Sequence, residues 1–406
     1  MIVKITKPIQ GGKIRAIASK SEAHRLLICA SLADGETFVA CRERSHDIDA
    51  TANCLEALGA AVRYKNGGFY VTPINKQKIN KNITLDCGES GSTLRFLRPV
   101  CGALGLRADF KMSGRLPERP LYGDYDGQLT GGTHIIPGNI SSQFISGLLF
   151  ALPLIPGDSI IRVTGNLESR PYVDMTLESL NLFGVKIYEN EPNIFNIPGG
   201  QIFKSPKTAQ AGGDWSNAAF WLAAGAIGKN GVTVDGLDFN SKQGDKIISE
   251  LLARFGANVD YNYNNNLISV SPGALKGIDI NAGDTPDLAP ALAAVAAVAE
   301  GTTNIYNAGR LRTKESDRLS TITAVLSDLG ADIAETGDGL VIKGKNKLAG
   351  GETQSFGDHR IAMTAAVVSS ACAGAVIIRG AEAVKKSYPG FFDDFKNLLG
   401  GSWEEI

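Results

Sequence analysis

The sequence predicts an α/β protein of two lobes, each built from three copies of one unit. Three observations predict it. First, small polar residues followed by an Ala/Leu-rich helical run recur six times along the 406 residues, and self-similarity of this kind marks a repeat architecture. Second, four copies are followed by another helical pattern that stops at a glycine and then gives way to alternating, strand-like sequence. Third, a turn-rich polar stretch, KSPKTAQAGG (204–213), divides the copies three and three.

The elements follow in order. The opening MIVKITK alternates like a strand and is expected to pair with the C-terminal half. Copy one, SEAHRLLICASLADG, starts at Ser21 and is followed by CLEALGAAV, where Gly59 fits a helix C-cap. Copy two, GSTLRFLRPVCGALG, starts at Gly91 and lacks the second helix, with LYGDYDGQLTGGTHIIP in its place. Copy three, SSQFISGLLFALPLIPG, starts at Ser141 and leads to SLNLFGVKI with its stop at Gly184. Copies four, five and six start at Ser216, Asp287 and Asp358. ELLARFGANV and VLSDLGADI supply the stops Gly256 and Gly330. DDFKNLLGG is a partial last echo. Residues 1–18 with 214–406 are expected to form one discontinuous lobe, and 19–213 the other.

Composition excludes several classes. Lys and Arg total 41 and Asp and Glu 42, so no nucleic acid or other polyanion partner is expected. Six cysteines without a CxxC pair are no disulfide framework, and the four histidines have no metal-ligand spacing. No metal and no cofactor is expected. The N-terminus lacks a secretory apolar core. The apolar runs Leu288–Ala299 and Ile361–Ile378 read as buried helices followed by strands rather than membrane spans. No membrane partner, a cytoplasmic location and a monomer are therefore expected. GxGxxG, GxxxxGK[ST] and GxSxG are all absent.

The chemistry sits at the starts of the repeated helices. A helix N-terminus is partly positive and prefers acids and small hydroxyls, such as Ser90, Ser92, Thr93, Ser141, Ser142, Asp214 and Ser216. Yet cations crowd the same ends: Lys20 and Arg25, Arg95, and the pair His359-Arg360. One such end is explained by a neighbouring carboxylate; several together point to bound anions shared by N–H groups and cations. The densest charge motif is RLRTKESDR, from Arg310 to Arg318. On a helix, Lys314 and Arg318 share a face, and Glu315 with Arg318 makes an i,i+3 ion pair. GRLPERP adds Arg119, KKSYPGFF adds Lys385 and Lys386, and SRPYVDM adds Ser169 and Tyr172. Asp287 serves equally well as a catalytic carboxylate or an N-cap. Together these residues suit a small substrate carrying several phosphates or carboxylates.

The motifs SKSEAHR, GNISSQF, ESRPYVDMT, DTPDLAP, RTKESDR, GDHRIAM and KSYPGFF, in this order over nearly the whole chain, closely resemble the 5-enolpyruvylshikimate-3-phosphate (EPSP) synthase family. The resemblance implies a two-lobed enolpyruvyl-transferase fold of six βαβαββ-like units, with helix N-termini facing a cleft that closes on substrates. It implies transfer of the enolpyruvyl group of phosphoenolpyruvate to the 5-hydroxyl of shikimate-3-phosphate. Lys20, Ser21, Arg25, Ser141, Ser142, Gln143, Ser169, Tyr172, Asp287 and Lys314 would then contact shikimate-3-phosphate. Lys20, Gly91, Arg119, Gln143, Arg318, Arg360 and Lys386 would contact phosphoenolpyruvate, Arg318 and Arg360 holding its carboxylate. Asp287 would take the hydroxyl proton, and Lys20, Glu315 or Lys386 would protonate the methylene carbon.

Three features depart from the family pattern, one being the missing helix after Pro120, which is expected to trim the outer face of one lobe and leave the cleft intact. The loop that commonly reads Asn-Ala-Gly-Thr is Glu89-Ser90-Gly91-Ser92 here, and Phe96 stands where many members carry proline. Glu89 would either repel phosphate or cap its own helix. Three other readings stay open: an enolpyruvyl transferase acting on a nucleotide sugar, an anion-binding homologue without turnover, and a purely structural repeat protein.

Overall fold

The computed structural model describes residues 1–75, 79, 82–123, 125, 128–398 and 400–406. The chain divides into two compact units, Ala18–Ala211 and Met1–Ile17 with Gly212–Ile406. Each has its own hydrophobic core.

In the unit Ala18–Ala211 the helices are α1 (Lys20–Leu32), α2 (His46–Ala57), α3 (Gly91–Ala103), α4 (Ser142–Ala151) and α5 (Arg170–Leu182). α1 is buried without a break from Ala23 to Leu32, and α3 and α4 are nearly as enclosed. Their mostly apolar, small residues suit an interior, and α1 and α3 bury Arg25 and Arg95 with them. Small residues let these helices touch: a Cβ on Gly147 of α4 would come 2.4 Å from the Arg95 carbonyl of α3. α2 and α5 bury one face only. One four-stranded sheet has the order Thr208–Gln210, Thr37–Ala40, Gly68–Thr72, Ala61–Lys65; another runs Tyr188–Glu191, Ile194–Ile197, Ser159–Thr164, Gly132–Pro137. Each combines one parallel pair with an antiparallel hairpin.

The other unit carries α6 (Trp215–Ile227), α7 (Ile248–Phe255), α8 (Ala289–Ala296), α9 (Arg318–Asp328), α10 (His359–Val368) and α11 (Phe391–Asn397). α6, α8 and α10 are the enclosed set. Its three sheets repeat the same arrangement. The last is completed from the two ends of the chain: Ile2–Lys7 pairs with Val376–Arg379 on one side and with Ser402–Glu405 on the other. The opening strand thus fills the place that a hairpin strand takes in the other copies.

The short second copy has a structural counterpart. Among the described residues, Gly91–Ser141 holds no second α-helix, and its sheet keeps only the parallel pair Asn82–Asp86 with Arg107–Lys111. Residues 124, 126 and 127 of LYGDYDGQLTGGTHIIP lie outside the described set. The four stop glycines, Gly59, Gly184, Gly256 and Gly330, all take left-handed φ angles of 77 to 101°, which glycine reaches without a Cβ clash.

Two local expectations need correction. The 204–213 stretch is not only a turn: Thr208–Gln210 is a strand paired with Thr37–Ala40. Lys314 and Arg318 do not share a helix. Lys314 ends a 3-10 turn, Gly309–Thr313, while Asp317 caps α9 and Arg318 is its first residue. The acid at the cap explains the break, since it starts a new helix there. No described helix is long and apolar enough to cross a membrane.

Candidate active site

In the unit Ala18–Ala211 the first turns of α1, α3, α4 and α5 come together through their side chains. Ser19 caps α1, so Lys20, Ser21 and Arg25 fall on its first turns. Lys20 Nζ lies 2.8 Å from Asp47 Oδ2, with both side chains largely buried. Arg25 is buried and is held by oxygens rather than a carboxylate. Its Nε donates to Thr176 Oγ1 at 2.9 Å, Nη1 to the Ser21 carbonyl at 2.7 Å, and Nη2 to the Tyr172 carbonyl at 2.8 Å. Its guanidinium lies 5.1 Å from the centre of the Phe96 ring. Burial lowers its pKa to about 10, so it stays cationic at neutral pH.

Ser141 caps α4 by accepting the Gln143 N–H at 3.3 Å. Gln143 then joins two helices, accepting from Arg95 Nη1 at 2.6 Å and donating to Ser92 Oγ at 3.0 Å. Gly91 opens α3 close to two guanidiniums: a Cβ there would stand 3.2 Å from Arg119 Nη1 and 3.4 Å from Arg95 Nη1. Only glycine leaves that space open. Ser169, at the N-cap of α5, has a left-handed backbone (φ 55°) and makes no capping bond with its side chain. A left-handed backbone at a serine is strained and persists only where its surroundings hold it. The cap of α3 is Ser90, which accepts the Thr93 N–H at 3.3 Å. Glu89 is therefore not the cap; its carboxylate lies against Gly114.

In the other unit the charges condense around Asp287 and Arg318. Asp287 sits in a 3-10 turn, Pro286–Leu288, ahead of α8, and caps no helix; the N-cap position of α8 is Leu288. Asp287 Oδ1 meets Arg318 Nη1 at 2.8 Å and Lys314 Nζ at 3.3 Å, and its Oδ2 meets Arg360 Nη2 at 3.4 Å. Burial opposes its charge, but Arg360, Lys314 and Arg318 more than offset this, and the carboxyl lies well below its usual range. Arg318, 1 % exposed, also pairs with Glu315 Oε2 at 2.8 Å and with Asp358 Oδ2 at 2.8 Å. Burial weakens the charge of Arg318, yet Asp358, Glu315 and Asp287 outweigh it and raise its pKa. Asp358 caps α10 through the Arg360 N–H at 2.9 Å. Lys386 is buried at the end of the turn Ala381–Lys386, which packs on α10.

The expected residues thus form two sets. Lys20, Ser21, Arg25, Gly91, Arg119, Ser141, Ser142, Gln143, Ser169 and Tyr172 belong to the unit Ala18–Ala211; Asp287, Lys314, Glu315, Arg318, Arg360 and Lys386 belong to the other. Asp47, Thr176 and Asp245 were not singled out from the sequence. Asp245, 1 % exposed, accepts from Ser216 Oγ. Its pKa is pushed up to about 6 by burial and by Asp287, against the pull of Arg360. No periodicity marks it, because it lies in a four-residue 3-10 turn, Gly244–Ile247, ahead of α7. The described residues contain no group of His, Cys, Asp and Glu fit to hold a metal ion.

The family model described as EPSP synthase (3-phosphoshikimate 1-carboxyvinyltransferase) matches residues 3–127 and 123–395. The chain is 43% identical to a 3-phosphoshikimate 1-carboxyvinyltransferase of Clostridium kluyveri, covering 97% of this chain and 96% of that one. It is 42% identical to one of Clostridium acetobutylicum, covering 98% and 97%. An EPSP synthase structure from Acinetobacter baumannii superposes with a TM-score of 0.80 at 26% identity over 100% of both chains. The enolpyruvyl transferase NikO from Streptomyces tendae shares the fold, with a TM-score of 0.78 at 17% identity over 99% and 98%. The chain belongs to the EPSP synthase family.

Proposed function

We propose that this protein transfers the enolpyruvyl group of phosphoenolpyruvate to the 5-hydroxyl of shikimate-3-phosphate, releasing phosphate and 5-enolpyruvylshikimate-3-phosphate. This is a step of chorismate, and hence aromatic amino acid, biosynthesis. The observation that carries the reading is one cluster in which Asp287 and Glu315 share Arg318, with Lys314 and Arg360 beside them. Addition–elimination needs an acid, a base and cations to offset the charge that develops.

Arg25, Ser141, Ser142, Gln143, Ser169 and Tyr172, with Lys20 and Ser21, hold shikimate-3-phosphate. In support, Arg25 is bound by neutral oxygens, so its positive charge remains to attract a phosphate. Gly91, Arg119, Gln143 and Lys20, with Arg318, Arg360 and Lys386, hold phosphoenolpyruvate, the last group through its carboxylate and phosphate. Asp287, also in contact with Lys314, accepts the proton of the 5-hydroxyl as that oxygen adds to C2. Glu315, Lys20 or Lys386 delivers a proton to C3. In the tetrahedral intermediate a C3 proton then leaves with the phosphate, and the enol ether double bond is restored. The cations offset the charge of phosphate as it departs.

The reaction uses small molecules alone, and we place the protein in the cytoplasm as a monomer. Phosphate release from phosphoenolpyruvate, measured with shikimate-3-phosphate and in parallel with UDP-N-acetylglucosamine, tests the acceptor. Release only with shikimate-3-phosphate is expected. Release only with the nucleotide sugar would overturn the acceptor assignments, and binding without any release would make the protein a silent anion binder.

A further inference from the structure

Asp245 lies outside every role assigned above, yet it is built into the base of the same cluster. The segment 241–245, a short loop that enters the 3-10 turn Gly244–Ile247, contacts the first turn of α6. Gln243 Nε2 donates to the Gly213 carbonyl at 2.8 Å, and Gln243 Oε1 accepts the Trp215 N–H at 3.0 Å. Two residues on, Asp245 accepts from the Ser216 hydroxyl. The Ser216 carbonyl in turn accepts from Arg360 Nη1 at 3.5 Å, and the same nitrogen donates to the Asp287 carbonyl at 3.1 Å. A chain of contacts thus runs from Asp245 through Ser216 to Arg360 and Asp287.

The carboxylate is unusual for its surroundings. It is buried, its Oδ1 has no hydrogen-bond partner among the described residues, and the ionisable groups that act on it are Asp214, Asp287 and Arg360. A half-satisfied buried acid is costly and is retained only where something offsets it. Gln243 holds the Gly213 carbonyl and the Trp215 N–H at the start of α6, and Asp245 holds the next residue, Ser216, through its side chain.

We infer that Asp245 is a positioning residue for phosphoenolpyruvate: by anchoring Ser216 it fixes the reach of Arg360. The inference rests on the proposed role of Arg360 in binding the donor carboxylate. Anchored from behind, the guanidinium keeps its second nitrogen toward Asp287 and toward an incoming carboxylate. Without the anchor it gains rotamer freedom, which donor binding must then remove. Asp245 touches no substrate in this account.

Steady-state kinetics on the full-length enzyme test it, after wild-type turnover with shikimate-3-phosphate has established the reaction itself. Asp245→Ala and Ser216→Ala are each expected to raise KM for phosphoenolpyruvate about tenfold, with KM for shikimate-3-phosphate changed less than about twofold. Asp245→Asn keeps an oxygen to accept from Ser216, and is expected to bring the donor KM back to within about threefold of wild type. An equal rise in both KM values, or no rise in the donor KM, overturns the inference while leaving the reaction established. If Asp245→Ala does not fold, Ser216→Ala carries the same test alone, since it removes only a hydroxyl.

Discussion

Replacing Asp287 by Asn tests the acid–base assignment at the point where the structure is most demanding. Asn keeps the shape of the side chain and removes one negative charge from three cations: Arg318 at 2.8 Å, Lys314 at 3.3 Å and Arg360 at 3.4 Å. Loss of a positioned general base typically lowers turnover by about 10² to 10⁴, or roughly 3 to 5 kcal/mol of transition-state stabilisation. Anion binding should move the other way, because Lys314 and Arg360 lose a competing carboxylate while Arg318 keeps Glu315 and Asp358. The expected outcome is therefore a fall in kcat of about 10² or more, with a Kd for phosphoenolpyruvate equal to or tighter than that of wild type. Phosphate release gives the first quantity and titration calorimetry the second. Turnover within tenfold of wild type would refute the base, and weaker donor binding would refute the view that Asp287 competes with the donor for these cations. The depressed pKa of Asp287 belongs to the same argument. A carboxyl stabilised this strongly as its anion is a weak base, so a donor carboxylate that draws Arg318 or Arg360 toward itself raises the basicity of Asp287 as it binds.

Three further outcomes are expected. The Asp245 carboxyl titrates near 6 in the fold, against an ordinary value of 3.8. Its folded pKa is raised, so folding is penalised as pH climbs from about 4 to 6, by up to roughly 3 kcal/mol. Asp245→Asn should then raise the melting temperature more at pH 7.5 than at pH 4, and an equal shift at both would count against a raised pKa. Arg318→Lys cannot satisfy Asp358, Glu315 and Asp287 at once, since the guanidinium reaches Asp287 with Nη1, Asp358 with Nε and Nη2, and Glu315 with Nη2. A loss of about 3 kcal/mol or more is expected in denaturant unfolding, and an unchanged midpoint would show the network to be dispensable. Phe96→Ala removes a fully buried ring that lies 5.5 Å from Phe150 and under the Arg25 guanidinium. It should cost about 3 to 5 kcal/mol and weaken shikimate-3-phosphate binding; binding as tight as wild type would separate Phe96 from the placement of Arg25.

What was legible in the sequence follows from which forces leave a periodic trace. An enclosed helix needs small and apolar residues on every side, so α1, α3, α4, α6, α8 and α10 announce themselves as repeated runs, and the stop glycines mark left-handed positions that few other residues adopt. The resemblance of the motifs carried the acceptor, the donor and most site residues, none of which periodicity could supply. Pairing across the sequence left no such trace. Nothing near Lys20 in the chain points to Asp47, and nothing near Arg318 points to Asp358, 40 residues away, as the group that holds it. RLRTKESDR reads as one charged helix until Asp317 is seen to start a new one. That break matters for the chemistry, because Lys314 no longer lies one helical turn before Arg318 on a common face. The turn instead ends at Lys314 and the helix begins at Arg318. Lys314 and Arg318 therefore both reach Asp287, while Arg318 reaches back three residues to Glu315. One guanidinium thus touches the proposed base and one of the proposed acids, so any movement of Arg318 onto a donor carboxylate alters the proton affinity of both groups together.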